Sequence, residues 1–208
     1  MLTWLEAALA LLVLAVSLAL RPWRMLQASL LTPWLAATVC LPLVWLLPQR
    51  LPQGMAVQFS GACLLVLMVG WPLAVLALAV VAIGVWALGS WPLAAALSQL
   101  VWLGLVPATL ALLLGAALRR WLPPNPFVYV LGRGFLGTAL CVFVSGAVQE
   151  LLYRLVGQVG LEQALVAHWL MAWGDAFLTG MLAAIFVAFA PQWLATWSDA
   201  RYLQPPPS

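Results

Sequence analysis

The feature that most constrains this chain is its succession of long apolar runs, each almost free of charge. Residues 2–20 contain one charged side chain, Glu6, and residues 29–47 and 55–88 contain none. A helix needs about 20 apolar residues to cross the hydrocarbon of a bilayer. Of the 208 residues, 66% are hydrophobic and 6% charged, against about 25% charged in an ordinary soluble domain. A soluble globule of this size could not cover its surface with thirteen charges. The apolar excess equally excludes a disordered chain. The sequence therefore predicts an all-α, polytopic integral membrane bundle.

Seven segments are expected: residues 2–20, 29–47, two short spans within 55–88 divided at Gly70-Trp71-Pro72, then 93–118, 127–153 and 175–190. The run 55–88 is long for one span and short for two, so a re-entrant pair is the competing reading. Residues 161–173 read as a short helix at the interface or against the bundle, and Pro191 closes the last span. Residues 1–203 form one predicted transmembrane domain, and the Pro-rich tail 204–208 is expected to be disordered. With the N-terminus outside and the C-terminus cytoplasmic, seven spans put Arg21, Arg24, Arg119, Arg120 and Arg201 inside and only Arg50 and Arg154 outside. That distribution follows the positive-inside rule, and the opposite orientation inverts it. Of the thirteen tryptophans, Trp4, Trp23, Trp71, Trp91, Trp121, Trp193 and Trp197 fall near predicted span ends, as an interfacial belt would.

Charges within a bilayer are costly and concentrate at functional sites. Arg133, between Gly132 and Gly134, lies about two turns into the sixth span, and Asp175 opens the seventh. Their structural readings are a snorkelling arginine and a carboxylate at a helix N-terminus. Glu150 and Arg154 have the spacing and order of a helical ion pair. Glu6 lies one turn into the first span, where it is either an exposed end residue or part of a site near the outer face. The single histidine, His168, cannot make a metal site alone. Cys40, Cys63 and Cys141 sit in apolar runs without a C-x-x-C pair and read as small hydrophobes. No nucleophile elbow, zinc-protease motif, phosphate loop or dinucleotide fingerprint occurs, so no enzyme is expected. The scattered arginines give no nucleic-acid patch.

The stretches Pro123-Pro124-Asn125-Pro126-Phe127-Val128-Tyr129, Gly132 through Gly137, Asp175-Ala176-Phe177-Leu178-Thr179-Gly180-Met181 and Trp193-Leu194-Ala195-Thr196-Trp197-Ser198-Asp199-Ala200-Arg201-Tyr202-Leu203 carry a resemblance, joined by residues 61–73. From about residue 55 onwards the chain resembles a group of bacterial inner-membrane proteins. That group is distantly similar to the cobalt/nickel energy-coupling-factor permeases, the substrate-binding M-type components. The resemblance implies a seven-helix component with an extracellular N-terminus, a membrane coupling subunit and a pair of cytoplasmic ATPases. Metal-transporting relatives begin Met-His and use a second histidine further on. This chain begins Met1-Leu2-Thr3, and Gln58 stands at that second position. An amide is a poor ligand for nickel or cobalt, so no metal or other cofactor is expected.

What remains is a candidate polar pocket of Gln58, Asp175 and Glu6, with Arg133 as a further substrate-binding candidate. A transport component for a small solute is the expected function, and a non-transport membrane subunit with an assembly or structural role is the alternative. Transport predicts that Gln58, Asp175 and Arg133 converge on one cavity in the size range of small-molecule sites.

Overall fold

The computed structural model describes residues 2–25, 27–46, 49–50, 56–89, 91–157 and 161–202. The expected disordered tail lies outside these residues. The protein is a multi-pass, all-helical membrane bundle, with one minimal antiparallel strand pair in which Gln49 faces Val57 and Arg50 faces Ala56. Helices α1 (Leu2–Ala19) and α2 (Ala28–Leu46) are followed by the short α3 (Ala62–Val69) and by α4 (Trp71–Leu88). Helix α5 (Leu93–Gln99) continues through a wide turn at Leu100–Leu105 into α6 (Val106–Trp121). A second widened segment, Val128–Leu136, leads into α7 (Gly137–Leu155). Then come α8 (Leu161–Phe189) and the single turn α9 (Asp199–Tyr202).

Six of these units are long and apolar enough to cross a membrane: α1, α2, α4, Leu93–Trp121, Val128–Leu155 and Ala164–Phe189. A helix satisfies its own backbone, which lipid cannot do. Helix α1 turns Leu5, Leu11, Leu12 and Val16 outward, a face suited to acyl chains. Helix α4 runs through the centre, with Leu78, Val81 and Val85 fully buried. Its Gly84 lies against Pro42, so the α2 proline sits where no side chain obstructs it.

Helix α3 spans only eight residues, seven of them buried. It begins after Gly61, whose φ of 67° suits glycine, and ends at Gly70 before Pro72 starts α4. The sequence break at Gly70-Trp71-Pro72 is therefore real, but only one side of it is a full-length helix. Both ends of α3 are buried, so their free backbone groups need partners from elsewhere. At its end, the amides of Ala195 and Thr196 donate to the carbonyls of Met68 (2.8 Å) and Leu67 (3.3 Å). The Thr196 hydroxyl also donates to the Leu67 carbonyl at 2.8 Å.

Two expectations are corrected. Residues 161–173 and 175–190 are not separate elements, because α8 runs unbroken from Leu161 to Phe189. Gly174 and Asp175 are both helical, since one helical glycine costs only about 1 kcal/mol and packing outweighs it. Trp71 and Trp197 are not interfacial but buried. The Trp71 indole donates to Thr109, and Trp197 stacks on Tyr202 with ring centroids 4.6 Å apart.

Side-chain contacts identify which ends lie together. The Ser17 hydroxyl, near the end of α1, donates to the Pro72 carbonyl at the start of α4. Tyr129 and Thr196 hydroxyls are 2.8 Å apart, joining the start of the Val128–Leu155 unit to the segment after α8. At the other extreme, Ser98 of α5 and Tyr153 of α7 meet Glu6 of α1.

Candidate functional site

Three helical stripes face one another at the end of the bundle that holds the start of α1. On α7 the stripe is Gly146, Gln149, Glu150 and Tyr153, and on α8 it is Ala164, Ala167, His168 and Met171. Both have the spacing of one helix face. On α5 and the wide turn after it, Ser98 and Trp102 stand one turn apart. With Leu2, Thr3 and Glu6 of α1, and Gln58 and Trp91 from the connections, they enclose a cavity of about 720 Å³. That lies within the range of small-molecule sites, about 300–1,000 Å³.

Glu6 organises the polar part. It is 2% exposed, and a buried carboxylate needs hydrogen-bond donors. The Trp102 indole donates to Oε1 at 2.8 Å, the Ser98 hydroxyl at 3.0 Å and the Tyr153 hydroxyl at 3.5 Å. All three meet the same oxygen, and among the described residues none donates to Oε2. The donors are neutral, so the negative charge has no cationic partner among them. A second acceptor, Gln99 Oε1, is buried at the cavity wall with no described partner, while its Nε2 reaches the Trp45 carbonyl.

On the opposite wall His168 Nε2 lies 3.4 Å from Glu150 Oε1. This corrects the expected Glu150–Arg154 pair. Arg154 is exposed, and among the described residues the side-chain partner of Glu150 is His168. The contact forms because Gly146 carries no side chain. A Cβ there would stand 2.3 Å from His168 Nδ1. Among the described residues no arginine lines the cavity.

The wide turn at Leu100–Leu105 shapes the floor. Opening the helical ladder frees carbonyl groups that must find other donors. The Ser145 hydroxyl of α7 donates to the Trp102 carbonyl and the Ser60 hydroxyl to that of Leu103, both at 2.5 Å.

The four candidates separate. Glu6 and Gln58 line the cavity. Asp175 does not: it is 1% exposed in the middle of α8 and accepts the backbone amides of Ser60 (2.8 Å) and Gly61 (3.0 Å). It thus caps α3, where a carboxylate also suits the positive end of the helix dipole. Arg133 lies towards the other end of the bundle, 8% exposed, with its guanidinium 5.3 Å from the centre of the Tyr129 ring. Gln58, Asp175 and Arg133 therefore do not share one cavity. Arg133 does not extend into the open as a snorkelling side chain would.

No family model, curated protein or solved structure matches this chain. Among the described residues no three His, Cys, Asp or Glu side chains gather as a metal site would require. Of the cavity residues beyond Glu6 and Gln58, the α7 stripe was recoverable from the spacing of Gln149, Glu150 and Tyr153. The pairing of that stripe with Ser98 and Trp102 needed the tertiary structure.

Proposed function

We propose that the protein is the solute-binding membrane component of a transport system, taking up a small solute that carries an ammonium or similarly donor-rich group. The observation that carries this reading is the 720 Å³ cavity around a buried, uncompensated Glu6. Glu6 Oε2 is an acceptor without a described donor, and Trp91, Trp102 and Tyr153 supply aromatic walls for a cation or apolar body. The chain is read as crossing a bacterial inner membrane seven times, with the N-terminus outside. Residues 58–69 form the third crossing, helical from Ala62 onwards and non-helical before it. The grouping of helix ends and the five inward arginines support that topology. The cavity then opens outwards. A membrane coupling subunit and cytoplasmic ATPases, implied by the family resemblance, would supply the energy, for the chain contains no phosphate-binding loop.

Native mass spectrometry of the gently purified protein tests this reading. The wild type should retain a small organic molecule, and Glu6→Gln should lose it while unfolding at a similar temperature. If neither wild type nor variant binds any small amine or other solute offered, the transport reading fails. A role as an assembly subunit then remains.

A further inference from the structure

A second polar feature, at the end of the bundle away from the cavity, has no place in solute binding there. Arg133 is more than nine-tenths buried, and among the described residues its Nε and Nη1 have no hydrogen-bond partner. A guanidinium does not shed its charge in a protein, and a buried charge is stable only when paired. The four acids whose side chains the structure describes are engaged elsewhere. Glu6 and Glu150 belong to the cavity, Asp175 holds α3, and Asp199 accepts the Trp197 indole at 2.6 Å. Among the described residues no ion pair involves Arg133.

The surroundings are built around this side chain. The guanidinium fills the space over Gly115, where a Cβ would stand 2.6 Å from Nη2. Arg119 sits at the rim of the same small pocket and donates from Nε to the Gly115 carbonyl at 3.1 Å. Leu122, Pro123 and Tyr202 complete the wall. The remaining space, about 20 Å³, admits roughly one water-sized atom, such as a single anionic oxygen. Phe127 and Trp121, next in the chain to the pocket residues Val128 and Leu122, are 72% and 78% exposed.

We infer that Arg133, with Arg119 at the rim, binds the phosphate oxygen of an anionic phospholipid headgroup in the adjoining leaflet. A guanidinium gives charge-assisted hydrogen bonds to a phosphate oxygen, and the exposed Phe127 and Trp121 nearby would meet the acyl chains and interface. The site is independent of the solute cavity and of the transport reading.

Thermal unfolding in nanodiscs tests the site. Discs of phosphatidylcholine alone are compared with discs containing equal parts phosphatidylcholine and phosphatidylglycerol, and with phosphatidylcholine discs in added inorganic phosphate. The wild type and the exposed-arginine control Arg120→Gln should melt about 5–10 °C higher with phosphatidylglycerol, as expected for a specific ligand well above its dissociation constant. Arg133→Gln should lose most of that shift, and inorganic phosphate should not reproduce it. If Arg133→Gln does not fold, Arg133→Lys should keep only part of the shift, since a more strongly hydrated ammonium is costlier to hold at this buried position. A full shift in either variant, no shift in the wild type, or an equal shift from inorganic phosphate overturns the lipid site.

Discussion

Asp175 shows how one residue's role depends on a distant partner. Its position after Gly174 reads as the start of a helix, where an acid often caps its own N-terminus. The structure keeps the capping chemistry but moves the helix: the carboxylate holds Ser60 and Gly61, more than a hundred positions earlier in the chain. Removing its charge weakens two buried amide contacts. Asp175→Asn should therefore destabilise the folded protein by about 1–3 kcal/mol, measured by denaturant unfolding in detergent, while the protein that remains folded still binds solute. Loss of binding at unchanged stability would place Asp175 in the site instead of beneath it. Glu6, by contrast, was readable as a residue. A single acid one turn inside an apolar run is a site candidate wherever it occurs, although its three donors come from helices far along the chain.

At the scale of elements, the regular helices were legible and the irregular ones were not. Apolar run length marks α1, α2 and α4, and flanking arginines add to it for α1 and α2, because crossing a bilayer imposes both. The shortness of α3 left little trace. Ser60 is a local signal, since its hydroxyl accepts the Ala62 amide at 3.2 Å, but the other groups that satisfy the ends of α3 are the distant Asp175, Ala195 and Thr196. The continuity of α8 was missed because local capping rules weigh Gly174 and Asp175 without the packing that overrides them. Close packing of α7 and α8 makes another prediction. In Gly146→Ala the new methyl group would strike His168, costing about 1–3 kcal/mol by overpacking. His168→Ala in the same chain should recover much of it. Unfolding of the two single variants and the double variant measures the coupling. Additive effects would mean that the two residues do not meet.

At the scale of the whole molecule, the charged side chains lining the two pockets divide by end. The acids Glu6 and Glu150 surround the cavity, whereas Arg119 and Arg133 lie towards the opposite end with Tyr129 and Tyr202. The arrangement of these two pockets presents acceptors at one end and cationic groups at the other. It suits a solute with donors entering at the first and anionic headgroups at the second. The most direct measurement is labelling of Thr3→Cys at the cavity wall, in a background with Cys40 replaced by serine. Right-side-out vesicles are treated with a membrane-impermeant maleimide, with Thr196→Cys as the opposite-face control. A water-filled cavity open to the outside predicts rapid labelling of Thr3→Cys and none of Thr196→Cys until the vesicles are opened. Thr3→Cys that stays unlabelled on intact vesicles, while reacting in unfolded protein, would contradict an outward-facing cavity.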